Sequence, residues 1–284
     1  MEIIENIASM HALSERKRME GKLIGFVPTM GFLHEGHLSL IREAKKLSDM
    51  VIVSIFVNPT QFKPNEDYDK YPRDLEGDTK KVNSAGGDII FAPSARDMYP
   101  DGYLTYVNVE GITETLCGIS RPGHFRGVTT VVTKLFNIVK PHKAFFGQKD
   151  YQQSVIIKKM VRDLNMDIDI ILLPTVREHD GLAMSSRNSF LSTEERKVAP
   201  VLYRALIMAS EMVKNGEKNT RKIYSEMKRM IENESLVVID YIAITDPENL
   251  RDISVIEGKT LIALAVRIGD TRLIDNILTE PQGS

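Results

Sequence analysis

The chain has 284 residues, of which 42% are hydrophobic and 27% charged, a composition that is ordinary for a globular protein with one large domain or two smaller ones. A formal net charge of −2 provides no overall field to attract nucleic acid or an anionic membrane, and no run approaches the roughly 18 apolar residues of a membrane span. The single cysteine excludes an internal disulfide framework, and the N-terminus lacks a basic segment followed by a long apolar one, so we expect a cytoplasmic protein.

The first predicted unit is a strand, a turn and a helix, and the turn carries two histidines. Residues 22–27 form an apolar run typical of a buried strand, and apolar residues recur at helical spacing over residues 38–47. The turn at residues 28–37 therefore ends at a helix start, where exposed N–H groups and the helix dipole favour an anion. Because residues three apart on a helix share a face, His34 and His37 can point at the same bound group.

Two other interpretations of this histidine pair are open at this point. A histidine near a helix start is often only a cap or a surface residue. A His-x-x-His pair could also supply two zinc ligands, but Cys117 provides no CxxC motif and no third ligand stands at a recognisable spacing. We favour the anion site, because two histidines with a glycine between them lie at a strand-to-helix turn of the first βα unit.

Strand-like and helix-like segments alternate through the first two thirds of the chain. This alternation predicts a parallel sheet with helices on both faces, in which ligands bind beyond the carboxyl ends of the strands. Polar segments at residues 58–62, 147–150 and 174–188 follow later strands as residues 28–37 follow the first, so we expect four clusters at one sheet edge. The later predicted strands are Val51–Val57, Asp88–Phe91, Lys143–Phe146 and Asp167–Leu173, and the predicted helices are Tyr68–Ala85, Gly127–Val139 and Tyr151–Leu164.

The pattern changes after about residue 187, where two helices are followed by three strands. The helices are predicted over Thr193–Lys214, opened by a capping signal, and over Thr220–Asn233. The strands, Val237–Ile244, Thr260–Arg267 and Thr271–Leu278, have no long helices between them, which favours a small antiparallel sheet. We place the domain boundary within residues 175–190 and divide the chain into domains of residues 1–180 and 181–284.

Six short segments carry a resemblance to a known family. They are Pro28–Gly31 with His34–His37, Val57–Phe62, Tyr71–Arg73, His124–Val128, Phe146–Gln153 and Met184–Asn188. In these segments, and in their order along essentially the whole chain, the sequence resembles pantothenate synthetase, or pantoate–β-alanine ligase, of the HxGH nucleotidyltransferase superfamily. The histidine motif alone indicates only adenylyl transfer. The combination of two further motifs, Gly-Gln-Lys-Asp followed by Gln153 and Asn-Pro-Thr-Gln-Phe, is much more specific to the family.

The resemblance implies a fold and a reaction. The fold is α/β: a Rossmann-like parallel sheet with helices on both faces, and a smaller C-terminal α+β domain with an antiparallel sheet that carries the Met-Ser-Ser-Arg loop at its start. The enzyme would be an ATP-dependent ligase of the coenzyme A pathway. It would condense (R)-pantoate with β-alanine to pantothenate through a pantoyl-adenylate, releasing AMP and pyrophosphate.

The resemblance also implies roles for individual residues. His37 would be the proton donor and His34 its partner, with Gln61 and Gln153 on pantoate and Gln61, Arg121 and His124 on β-alanine. The implied ATP-binding residues are Met30, Gly31, Phe32, Leu33, His34, Glu35, Gly36, His37, Gly147, Gln148, Lys149, Asp150, Val176, Met184, Ser185, Ser186 and Arg187.

A magnesium ion is expected with the triphosphate, and Asp78 is its candidate protein contact. Some relatives carry a second aspartate at the neighbouring position, which is Gly77 here.

The family implies a homodimer whose partners are otherwise small molecules, with no nucleic acid and no membrane. The alternatives are a nucleotidyltransferase acting on a phosphate ester, a non-catalytic nucleotide-binding module and a tRNA synthetase. Intact histidines, Lys149 and Arg187 argue against the module, and the glutamine pair favours the ligase.

Overall fold

In the computed structural model, which describes residues 1–63, 66 and 68–282, the chain divides into two compact units. The first unit comprises residues 1–113, 121–147 and 156–174, and the second comprises residues 114–120, 148–155 and 175–284. The division predicted at residue 180 left residues 114–120 and 148–155 in the first domain.

A parallel sheet forms the centre of the first unit. Its strands in the described chain are β1 (Glu2–Ile4), β2 (Ile24–Thr29), β3 (Met50–Ile55), β4 (Ile89–Phe91), β5 (Lys143–Gly147) and β6 (Asp169–Leu173). They are all parallel and pair in the order β1-β4-β3-β2-β5-β6. Because β3 and β5 flank β2 on opposite sides, the strand order reverses there. In such sheets a crevice for ligands opens at this reversal, at the carboxyl ends of the strands.

Helices cover both faces of this sheet. The helices up to residue 163 are α1 (Ile7–Met19), α2 (Glu35–Leu47), α3 (Leu75–Ala85), α4 (Ala95–Met98), α5 (Cys117–Ser120), α6 (His124–Val139) and α7 (Tyr151–Asp163), of which α5 and the first residues of α7 belong to the second unit. Phe26 of β2 packs edge-on against Phe136 of α6, with ring centroids 6.3 Å apart. The next residue, Val27, shares a buried core with Leu40 and Ile41 of α2. Since neighbouring side chains on a strand point to opposite faces, α6 and α2 lie on opposite sides of the sheet.

The second unit is built on an antiparallel sheet with helices packed against it. Its later elements are α8 (Thr193–Val198), α9 (Val201–Lys214), α10 (Thr220–Glu232), β7 (Val237–Thr245), β8 (Thr260–Ile268) and β9 (Thr271–Thr279). The strands pair in the order β7-β8-β9. Leu206 of α9, Ile223 and Met227 of α10 and Leu264 of β8 belong to one buried core. The predicted fold class, a parallel α/β sheet with a small C-terminal antiparallel sheet, is therefore confirmed.

Local departures from the predicted elements have identifiable causes. The single helix predicted over residues 193–214 is wrong, because Pro200 lacks the N–H that would continue it and separates α8 from α9. The helix predicted from Tyr68 begins only at Leu75, where the Asp74 carboxylate caps it by accepting from the Gly77 N–H at 2.9 Å. The patterns also missed β1, which is only three residues long, and α1, whose apolar residues are not concentrated on one face.

No helix in the described part of the chain combines the length and the apolar character needed to cross a membrane.

Candidate active site

The turn after β2 leaves the strand in a left-handed conformation that backbone hydrogen bonds hold in place. Gly31 and Phe32 have φ angles of 83° and 50°. A Cβ on Gly31 would lie 3.0 Å from Ile55 and 3.1 Å from Asp78, so a larger residue would be crowded as well as strained. The N–H groups of Phe32 and Leu33 both donate to the Asp78 carboxylate at 2.7 Å. Hydrogen bonds from the backbone of the turn to Asp78 therefore hold its conformation.

Asp78 of α3 is fully buried beneath this turn. Burial raises the pKa of its carboxyl, and the hydrogen bonds from Leu33 and Phe32 work in the opposite direction. Lys81 lies 4.0 Å from the carboxylate and donates to the Leu33 carbonyl at 2.8 Å. Both carboxylate oxygens thus accept from the backbone of the turn. Over the residues that the structure describes, no group of three or more His, Cys, Asp and Glu side chains could hold a metal ion.

His34 and His37 lie together at the N-terminus of α2. His34 is the N-cap, and its Nδ1 accepts from the Gly36 N–H at 3.2 Å. The His37 Nδ1 in turn accepts from the His34 N–H at 3.3 Å, which completes a capping box. The ring centroids are 4.1 Å apart and the ring planes differ by 43°. The predicted strand, turn and helix are confirmed, and the capping interpretation and the anion-site interpretation are compatible.

These two hydrogen bonds determine which ring nitrogens carry protons. An Nδ1 that accepts from a backbone N–H is unprotonated, so in the neutral form of each ring the proton is on Nε2. His34 and His37 therefore each have an Nε2–H group at the start of α2. Donors of this kind suit a phosphate oxygen whose negative charge grows during a reaction.

Gln61, the second predicted binding residue, is oriented by a buried asparagine. It ends a short 3-10 helix at residues 59–61, which follows β3 after three intervening residues. Asn58, which is 1% exposed, donates through Nδ2 to Gln61 Oε1 and to the Gly127 carbonyl, both at 3.1 Å. Gln61 Nε2 lies 3.0 Å from the Met30 Sδ. The amide therefore presents its NH2 group toward the turn that follows β2.

The loop that carries Gln61 is packed tightly against α6. A Cβ on Gly127 would lie 2.3 Å from the Thr60 carbonyl oxygen, so only glycine permits this approach of two backbones. The Tyr99 hydroxyl donates to Asn58 Oδ1 at 2.8 Å. Burial raises the pKa of Tyr99 to about 12, so the hydroxyl keeps its proton and remains a donor at neutral pH. The position of Gln61 thus depends on helix packing and on a buried hydrogen-bond network.

Arg121 and His124 lie at the start of α6 and contact the same loop. Arg121 forms an ion pair with Glu66 at 2.5 Å and donates to the Gln61 carbonyl at 3.2 Å. His124 Nδ1 is 2.8 Å from that carbonyl oxygen, which can only accept, so the proton is on Nδ1. Its Nε2 then accepts from Arg121 at 3.1 Å. His124 thus has the opposite tautomer to the pair at residues 34 and 37.

In the second unit, Gln148–Asp150 form a 3-10 turn that runs directly into α7. The Asn276 Nδ2 group donates to the carbonyls of Gln148 and Lys149, at 3.0 and 2.9 Å. The two glutamines in the first turn of α7 have different surroundings. Gln152 is 6% exposed and bonds to backbone groups of residues 115 and 117, whereas Gln153 is partly exposed. Only Gln153 was predicted to bind a ligand.

Val176 and Met184 lie at the two ends of a hairpin. The Met184 N–H donates to the Val176 carbonyl at 3.0 Å, and Arg177 pairs with Ala183 across the hairpin. At its tip, Gly181 has a φ angle of 91°, and a Cβ there would lie 1.9 Å from the Tyr203 ring. The residues predicted to contact adenine and triphosphate are therefore on one locally paired segment.

The predicted Ser-Ser-Arg segment follows this hairpin. Ser185 caps a short 3-10 helix at residues 186–190, and its Oγ accepts from the Arg187 N–H at 3.3 Å. Asn188 donates to the Glu178 carboxylate at 2.8 Å, which ties the segment back to the hairpin. The Ser185 hydroxyl thus has a capping role, and its contact with a nucleotide stays a prediction.

Pattern reasoning missed residues that hold these segments in place. Arg177 makes a bidentate ion pair with the buried Asp275, at 2.5 and 3.0 Å. Asp275 and Asn276 lie within β9, where alternating strand residues gave no sign of contacts to a segment some 128 positions earlier. Asn58 lies three residues before Gln61 in the Asn-Pro-Thr-Gln-Phe motif, so its position in the sequence could have identified it as the residue that orients Gln61.

Comparison with known proteins places the whole chain among relatives of one kind. The family model described as pantoate-beta-alanine ligase matches residues 2–278. A pantothenate synthetase from Acetivibrio thermocellus is 58% identical over 280 residues, which is 99% of this chain and all of that protein. One from Moorella thermoacetica is 56% identical over 99% of both chains.

Solved structures agree with the sequence comparison. A pantothenate synthetase from Thermus thermophilus superposes with a TM-score of 0.93 at 45% identity, covering 98% of this chain and 99% of that one. A pantoate-beta-alanine ligase from Francisella tularensis, solved in complex with beta-gamma ATP and beta-alanine, gives a TM-score of 0.81 at 39% identity. It covers 98% of this chain and 97% of that one.

Proposed function

Because this chain belongs to the pantoate-beta-alanine ligase family, we propose that it joins pantoate to β-alanine through a pantoyl-adenylate intermediate and releases AMP and pyrophosphate. The ligase activity follows from full-length relatives at 55–59% identity, and ATP is its substrate, in keeping with the ATP complex of the Francisella ligase. The adenylate route is the part that goes beyond these comparisons. The observation that supports it most is the pair of Nε2–H donors at the start of α2.

A carboxylate does not form an amide with an amine at a useful rate, because it is a poor electrophile with a poor leaving group. In the proposed first step, a pantoate carboxylate oxygen attacks the α-phosphorus of ATP and pyrophosphate leaves. The neutral β-alanine amine then attacks the acyl carbon, the C–O bond breaks, AMP leaves with that oxygen, and the nitrogen releases one proton to solvent. Catalysis of the first step needs positioning and stabilisation of the growing phosphate charge more than covalent chemistry.

His34 and His37 are proposed to stabilise that charge through their Nε2–H groups, and His37, the proton donor that the resemblance implies, would act as a hydrogen-bond donor that keeps its proton. Their ring separation of 4.1 Å allows both Nε2–H groups to serve one phosphoryl group. Neither ring needs to act as a nucleophile. The remaining ATP contacts are proposed for the turn at residues 30–37, for residues 147–150, for Val176 and for residues 184–187. Lys149 and Arg187 supply the positive charge that a triphosphate requires.

Gln61 and Gln153 are proposed to bind pantoate. A neutral amide donates and accepts at once, which suits a hydroxy acid. Gln61, Arg121 and His124 are proposed to bind β-alanine. The Arg121 guanidinium is ion-paired with Glu66, and His124 is bonded to the Gln61 carbonyl. Their contribution to β-alanine binding would therefore include holding the Gln61 loop in position.

Magnesium is proposed as the companion of the triphosphate, without a protein ligand assigned. Asp78 fits the part of a metal ligand poorly, because both of its oxygens accept hydrogen bonds from the turn at residues 32 and 33. Mg²⁺ commonly retains several waters and binds substrate phosphates, so a carboxylate cage is not required. No step above depends on the ion.

A homodimer in the cytoplasm is proposed from the resemblance. Light scattering on the wild-type protein tests the dimer. A mass of one chain over a range of micromolar concentrations would contradict it.

Exchange of radiolabelled pyrophosphate into ATP tests the adenylate step. We expect exchange that requires pantoate and proceeds without β-alanine, since the first step is reversible and complete in itself. Exchange that needs β-alanine as well would contradict a free-standing adenylation step. Exchange with a phosphate ester in place of pantoate would instead support the nucleotidyltransferase alternative.

A further inference from the structure

Strand β9 carries two adjacent polar residues that are almost completely buried. Asp275 and Asn276 are each 3% exposed. Neighbouring residues on a strand point to opposite faces, so the two side chains serve different neighbours. Burying a carboxylate and an amide is costly unless their hydrogen bonds are satisfied. Both are satisfied here, and both by segments that the proposed function assigns to ATP.

Asn276 holds the backbone of the Gln148–Asp150 turn. Its Nδ2 group donates to the carbonyls of Gln148 and Lys149 at 3.0 and 2.9 Å, which uses both amide protons. Its Oδ1 lies 3.5 Å from Gln148 Nε2. Two adjacent carbonyls that accept from one amide are constrained in direction, and the side chain of Lys149 leaves the backbone at that constrained point.

Asp275 holds the hairpin that ends at Met184. Its carboxylate receives both arms of the Arg177 guanidinium and also the Asn276 N–H at 2.8 Å. Arg177 directly follows Val176, donates to the Gly181 carbonyl at 3.1 Å and lies over the Tyr203 ring at 4.2 Å. Burial raises the pKa of Asp275, whereas Arg177 and, more weakly, Lys149 lower it, so the charge of Lys149 is felt at this carboxylate.

We propose that Asp275 and Asn276 are positioning residues for ATP, which set the Gln148–Asp150 turn and the Val176–Met184 hairpin from one strand. This inference rests on the proposed function for its ligand. Neither residue needs to touch the nucleotide. The pair acts by fixing the backbone from which Lys149 and the hairpin residues project.

Titration of the full-length protein with a non-hydrolysable β,γ-ATP analogue, together with steady-state kinetics, tests this role. We expect Asn276→Ala and Asn276→Leu to weaken analogue binding and raise the KM for ATP by about tenfold, the effect of one or two lost hydrogen bonds. The KM for pantoate is expected to change less than about twofold in both variants. The leucine keeps about the size of the side chain without adding a charge, so it remains informative if the alanine variant folds poorly.

Asn219→Ala is the matched control in the same unit. Asn219 caps α10 by accepting from the Arg221 N–H at 3.0 Å, so its loss lowers the melting temperature without altering analogue affinity. If the Asn276 variants behave like this control, with a lower melting temperature and unchanged ATP affinity, the inference is wrong. Equal losses of ATP and pantoate affinity would also overturn it. A wild-type protein that neither binds the analogue nor consumes pantoate would contradict the proposed function itself.

Discussion

The turn after β2 and the turn after β5 are proposed to bind the same nucleotide, yet they are held in different ways. The histidine pair of the first is held within the turn itself: His34 and His37 cap α2 through bonds to backbone groups two and three positions away, while Asp78 of α3 holds Phe32 and Leu33. The second is held by Asn276, which lies 127 positions beyond Lys149. A cap that a segment forms with its own residues leaves a motif in the sequence, whereas a contact from a distant helix or strand leaves only one of its two partners there.

The largest effect is expected at the histidine turn after β2. His37→Ala removes an Nε2–H donor and the bond to the His34 N–H, so pyrophosphate exchange should fall by about 10²–10⁴-fold. The fold should persist, because the lost cap is worth only about 1 kcal/mol. His11→Ala, at an exposed position on α1, is the matched control and should leave exchange unchanged. Exchange within about threefold of wild type in His37→Ala would remove the proposed role.

The same contrast explains which parts of the fold and of the candidate site can be predicted from the sequence. Alternating apolar runs predicted the parallel sheet, and the histidine turn was found because its spacing coincides with the strand-to-helix transition. Pro200 split a predicted helix although the periodicity continues across it. Asp275 and Asn276 could not be found in this way, because their partners are determined by which strand packs beside the Gln148–Asp150 turn, and that depends on the tertiary fold.

The second effect is a loss of stability at the Val176–Met184 hairpin, which Asp275 of the distant strand β9 holds. Arg177→Met leaves the buried Asp275 carboxylate without its partner, so the free energy of unfolding should fall by about 3–5 kcal/mol. Arg204→Met, which breaks an exposed ion pair with Glu234 in the same unit, should cost less than about 1 kcal/mol. Denaturant melts measure both variants. Equal losses would show that the Arg177 pair has no special part in holding the hairpin.

The third effect concerns the packing of the Gln61 loop against α6 and its consequence for pantoate binding. Gly127→Ala places a Cβ 2.3 Å from the Thr60 carbonyl oxygen, and neither backbone can yield easily. We expect a loss of about 2–3 kcal/mol in stability and a higher KM for pantoate, because the Gln61 loop must shift. Gly258→Ala meets no atom within 4 Å and serves as the control. An unchanged KM for pantoate would argue that the Gln61 loop does not bind it.

The smallest effect concerns the carboxylate beneath the first turn. Asp78→Asn keeps the size of the side chain but turns an NH2 group toward a backbone N–H, at a cost of about 1–2 kcal/mol. Because burial raises the pKa of Asp78, the folded state binds its proton more tightly than the unfolded state. The stability of wild type relative to the variant should therefore decline as the pH rises from the ordinary carboxyl range through the folded-state pKa. Melts at several pH values measure this, and a difference that grows with pH would contradict it.

The fate of the pantoate carboxylate oxygens tests the central claim most directly. Pantoate labelled with ¹⁸O in its carboxylate is converted with ATP and β-alanine, and the products are analysed by mass spectrometry. If a carboxylate oxygen attacks the α-phosphorus at the paired histidines, one labelled oxygen per turnover appears in AMP. Pantothenate formed with unlabelled AMP, or with the label in inorganic phosphate, would contradict the adenylate route.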